Sequence, residues 1–71
     1  MSTTLAHVDR EHVARTVAVY RARAAVAAAV LHLDDLMGGL SPDVRERHDF
    51  DYRTFTAAAR QLEAHLALDE R

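Results

Sequence analysis

The feature that most constrains this chain is a helix-forming stretch that is apolar on two separate sides. At ~100° per residue, Val13, Val17, Tyr20, Ala24, Ala27 and Leu31 fall on one stripe of a helix. Val19, Val26, Val30, Leu33 and Met37 fall on a second, more than ~100° away on the wheel. Between the stripes the segment AAVAAAVLHL, Ala24 to Leu33, offers alanine where a soluble helix would turn a polar face to water. One amphipathic neighbour covers one stripe. Whatever this chain folds into must supply a second cover.

The ends of the stretch are marked. Asp9 is a good N-cap, with Thr3 or Thr4 as earlier alternatives. Gly38 and Gly39 supply a left-handed stop, and Pro42 blocks continuation. Ser41-Pro42-Asp43 then reads as a fresh helix start, with a capping hydroxyl, a proline at the first helical position and an acid at the positive end of the dipole. The run RHDFDY interrupts the pattern. The chain is accordingly expected to divide into a flexible N-terminus over 1–8, helix 1 over 9–37, a connector with a short helix over 38–50, and helix 2 over 51–69. Helix 2 is apolar on one side only, through Phe55, Ala58, Ala59, Leu62 and Leu66.

Chain length limits how the second cover can be supplied. A chain of 71 residues buries only about 60% of the surface its unfolded form exposes, and such scaffolds need a disulfide, a metal or an oligomer. There is no cysteine, which removes the first and fits a reducing compartment. The expected fold is an all-α antiparallel helical hairpin, a single domain, completed as a homodimeric four-helix bundle. The dimer interface is assigned to Val19, Ala22, Val26, Ala29, Val30 and Leu33. Charge order favours the antiparallel hairpin. It brings Asp34 and Asp35 toward Arg45, Arg47 and Arg53, and the acids Glu63, Asp69 and Glu70 toward Arg10 and Arg15. Exposed pairs contribute only ~0–1 kcal/mol each, so they select orientation more than they stabilise.

All nine basic residues are arginine. This reads as the codon bias of a GC-rich genome, bacterial or phage, and is not evidence for nine selected guanidinium sites. The net charge of −2 gives no field that would gather nucleic acid or anionic lipid. The start MSTTLAHVDREH lacks a basic segment followed by an apolar run. The run Ala24–Leu33, bounded by Arg21 and Arg23 before it and Asp34 and Asp35 after it, is shorter than the ~20 residues a membrane helix needs. A cytoplasmic protein without a membrane partner is expected.

Chemistry-bearing patterns are sparse. His7 with Glu11, His65 with Asp69, and His32 with Asp35 have helical spacing for metal ligands, but Glu-x-x-His and His-Glu-x-x-His are missing, so no metal and no cofactor are assigned. No cysteine nucleophile, glycine-rich phosphate loop or paired-carboxylate signature is present, and no catalytic residue is assigned. Arg10 and Arg21 point one way on the wheel and Arg15 and Arg23 another, with almost no Asn, Gln or Ser beside them to read base edges. The cluster at the start of helix 2 is more suggestive. Phe50 and Tyr52, with Arg47, Arg53 and Leu40 near them, are residue types enriched at protein interfaces or placed beside such residues. The functional expectation is a small non-enzymatic module, a regulator, inhibitor or adaptor that binds and occludes a partner protein through Leu40, Arg47, Phe50, Tyr52 and Arg53. The alternative is a small dimeric DNA-binding regulator, with a metal-binding bundle behind it.

Overall fold

The computed structural model of the protein describes the chain from His7 to Asp69. Two helices, α1 (His7–Met37) and α2 (Pro42–Asp69), make an antiparallel hairpin, and no strand occurs among the described residues. The hairpin is a rod of 54 × 15 × 14 Å with a radius of gyration of 16.0 Å. A compact domain of this length would have a radius near ~11 Å.

The turn is built by the residues that form it. Gly38 has φ 71° and Gly39 φ 110°, a conformation that disfavours any residue with a Cβ. The Gly38 N–H donates to the Asp34 carbonyl at 2.7 Å, ending α1 in a left-handed cap. Ser41 caps α2: its Oγ accepts from the Val44 N–H at 3.3 Å, and its carbonyl accepts from the Arg45 N–H at 2.9 Å. Pro42 occupies the first helical position, where no N–H is needed, and Asp43 sits in the positive first turn. Nothing lies within 4 Å of a Cβ built at Gly38, so Gly38→Ala meets no clash and its cost is conformational alone. Urea unfolding is expected to show a loss of about 1–2 kcal/mol; an unchanged midpoint would mean the turn relaxes freely.

Asp34 ties the turn together. Its Oδ1 accepts the Leu40 N–H at 3.0 Å and its Oδ2 accepts from Arg45 Nη1 at 2.6 Å, while Arg45 Nη2 reaches Asp35 Oδ1 at 2.8 Å. The Arg45 guanidinium, and after it the Leu40 N–H, hold the Asp34 carboxyl below its ordinary value of 3.8. A carboxylate whose folded pKa is depressed stabilises the fold above its unfolded pKa, and that contribution is lost as pH falls through the folded value. The thermal midpoint should therefore fall as pH drops below about 4. Asp34→Asn should flatten that dependence; a slope equal to the parent's would sink this assignment.

Two expectations are corrected. The first helix begins by His7, two residues before Asp9; the remainder of the expected flexible segment, 1–6, lies outside the described residues. The connector contains no separate short helix, because α2 runs unbroken from Pro42 to Asp69. Histidine, aspartate, phenylalanine and tyrosine are only a few tenths of a kcal/mol worse than the better helix formers. No glycine or proline follows Pro42, and Arg53 pairs with Asp49 one turn away at 3.0 Å. RHDFDY weakens a helix without ending it.

The core is thin. Val17, Ala24, Ala27 and Ala59 are its only buried apolar residues, and no large side chain is fully buried among the described residues. The covered stripe of α1 is the one through Val13, Val17, Tyr20, Ala24, Ala27 and Leu31, all buried or half-buried. It meets Phe55, Ala58, Ala59, Leu62 and Leu66 of α2, of which Ala59 is 0% exposed. Tyr20 and Phe55 contact at a ring-centroid distance of 5.5 Å, and the Arg23 guanidinium lies 5.8 Å from the Phe55 centroid.

Candidate interaction surfaces

The second stripe of α1 is uncovered. Val26 is 63% exposed, Leu33 54% and Met37 82%, with Val19 also exposed. Of the remaining residues assigned to the dimer interface, Ala22 and Ala29 are exposed and Val30 is half-buried. These residues share one flank of the rod because their spacing of three and four keeps them on one helix face.

The flank is shaped as well as apolar. Val19, Ala22, Val26 and Ala27 of α1 and Phe55 of α2 line an open groove of about 450 Å³, with Arg23, His48 and Asp51 at its polar points. A smaller hollow of about 240 Å³ continues toward the turn, between Val30, Leu33, Asp34, Met37, Gly38 and Leu40. His48 and Asp51 were missed by the sequence reading. Their signal was the i, i+3, i+7 spacing to Phe55, visible only if α2 is taken to begin at Pro42.

The five residues expected to bind a partner do not form one patch. On an unbroken helix Arg47, Phe50 and Arg53, three apart, share a face, while Tyr52 lies about 200° from Phe50. Phe50 is 61% exposed and points away from α1; Tyr52 is exposed on the side nearer α1. Leu40 sits in the turn, lining the hollow with Met37 and Leu33. Sequence adjacency brought these residues together; helical rotation separates them.

The charged residues are largely engaged within the chain. Arg21 pairs with Glu63 across the helices, Arg15 with Glu11 at 3.4 Å, Arg53 with Asp49, and Arg45 with Asp34 and Asp35. The antiparallel charge order is thus present: Asp34 and Asp35 meet Arg45, one of the three arginines expected there, while the partner of Glu63 differs. Arg45 faces α1 at the turn, and Arg47, two residues on, faces away. Glu63 meets Arg21 in place of Arg10 or Arg15. No group of three or more metal-ligating side chains is found among the described residues.

The segment Asp9–Met37 is long and apolar enough, by length and composition, to cross a membrane. The ten-residue run considered in the sequence underestimates it, because Val13, Ala14, Val17, Ala18 and Val19 extend the apolar character to the N-terminal side of Arg21 and Arg23. The core helix of a soluble protein and a leader sequence meet the same criterion, so the segment alone assigns no location. Compared with known proteins, the chain matches no family model, no curated protein and no solved structure.

Proposed function

We propose that this protein is a small, non-enzymatic protein–protein interaction module of the cytoplasm, and that it works as a homodimeric four-helix bundle. The observation that carries the reading is the uncovered stripe of α1 above a core made of one valine and three alanines. The chain exposes 5596 Å², against ~4,400 Å² for a compact monomer of its mass. The difference, about 1,200 Å², exceeds the ~800 Å² that each partner contributes to a standard protein interface. That difference is total area and reflects the rod shape; within it the aligned, exposed Val19, Val26, Leu33 and Met37 form an apolar patch of the kind that marks an interaction surface. With no cysteine for a disulfide, association is the means by which so small a chain adds to its core.

In this reading Val19, Ala22, Val26, Ala29, Val30 and Leu33 meet the second copy. The outward face of α2, with Phe50 between Arg47 and Arg53, stays free for a protein target. The bundle then acts as a regulator, inhibitor or adaptor by covering that target's surface. Self-association ties stability to concentration. The thermal midpoint is therefore expected to rise by several degrees between about 1 and 100 μM protein. A midpoint independent of concentration, together with salt-sensitive retention on duplex DNA, would replace this reading with the nucleic-acid one.

A further inference from the structure

We infer that the second copy lies antiparallel along α1, with the two-fold axis crossing at the Val26–Val30 turn. This rests on the proposed self-association and adds its orientation and register. The uncovered stripe runs from Val19 to Met37, so its midpoint falls between Val26 and Val30. Turned end for end about that midpoint, the stripe complements itself. Val19 meets Met37 of the second copy and Val26 meets Val30, while Leu33 comes level with Arg23, between the neighbouring Ala22 and Val26. Alanine at positions 22 and 29 allows the helix axes to approach toward ~8 Å.

Charge decides between the two orientations. Over its first half α1 carries four arginines, at 10, 15, 21 and 23, against Asp9 and Glu11. Its second half carries Asp34 and Asp35, and no basic residue lies in its last turn. A parallel pair would set Arg15 beside Arg15 and add two macrodipoles in the same sense. The antiparallel pair opposes the dipoles and brings Arg15 to the turn of the second copy, where Asp43 is exposed. The uncovered face therefore matches itself end for end at Val19, Val26, Val30 and Met37 and in charge order, and on that ground a second copy of this chain is its occupant. An isologous pair of this kind closes as a dimer and does not grow further.

The test is a distance measurement on nitroxide-labelled protein. The chain lacks cysteine, so Ala14→Cys, off the stripe, and Ala18→Cys, at its edge, both exposed, each introduce one label per copy. At 1.5 Å per residue on both copies, Ala14→Cys should give an inter-label distance of about 40 Å and Ala18→Cys about 30 Å. A parallel pair would give similar short distances, under about 25 Å, at both positions. A decrease of about 12 Å from the first variant to the second supports the inference. Equal short distances in a dimer of normal mass would overturn the orientation while leaving self-association intact. The lack of any inter-label signal at 100 μM would overturn both.

Discussion

Val26→Glu is expected to abolish the dimer and to lower the thermal midpoint by more than about 10 °C. Val26 lies at the centre of the uncovered stripe and is 63% exposed in the hairpin, so a glutamate there clashes with nothing in the single chain. In the pair two carboxylates would be brought together near the axis, in a contact that excludes water, and Arg23, which shares the groove with Val26, is held over the Phe55 ring. Burying an unpaired charge costs several kcal/mol. A conservative ~3 kcal/mol weakens association by more than a hundredfold. Ala14→Glu makes the control: Ala14 is exposed on a different face of the same helix, and a substitution there should stay within ~0.5 kcal/mol. Equal losses from the two variants would show that added charge anywhere on α1 is harmful and that the stripe has no special role.

Ala59→Leu should have the largest effect on the hairpin itself. Ala59 is 0% exposed, and it faces the Val17, Ala24 and Ala27 side of α1, where small residues let the two helices approach closely. Three added carbons have no void to enter, so the helices must separate or the leucine must leave its rotamer. Overpacking of this kind costs about 1–3 kcal/mol, and for a domain of this size that is a large share of the total. Urea unfolding followed by circular dichroism should show the loss, accompanied by broadened amide resonances along the α1–α2 contact. Ala57→Leu, at an exposed position of the same helix, separates packing from propensity and should be near neutral. An Ala59→Leu variant as stable as its parent would mean that the hairpin contact is looser than described.

What could be read in the sequence, and what could not, divides along physical lines. The hairpin was legible because its turn uses strong local chemistry: two glycines in left-handed conformations, a serine cap and a proline at the first helical position. The covered stripe was legible because period 3.6 is written plainly from Val13 to Leu31. The unbroken second helix was not. The dip in helix propensity from His48 to Tyr52 is small, and it is outweighed by continuing backbone hydrogen bonds and by packing of the Phe55 side against α1. That one misplacement hid the groove positions of His48 and Asp51. It also joined Phe50 and Tyr52 into a patch that a continuous helix divides. Charge order predicted the antiparallel hairpin, but not which arginine meets Asp34. That choice depends on where α2 starts, since a shift of two residues turns a side chain through about 200°. The chemical role was least legible of all, because the His–acid spacings bring no group of three metal-ligating side chains together among the described residues, and the shape of an uncovered face does not name its partner.

The central claim is that one hairpin leaves too much apolar surface in water to exist alone. Light scattering coupled to size exclusion, on untagged protein at about 10 μM, weighs it directly. The expected mass is twice the chain's 7.9 kDa, in a single symmetric peak. A folded, non-aggregating species at the mass of one chain would contradict the account, since the stripe from Val19 to Met37 would then be stable with nothing upon it.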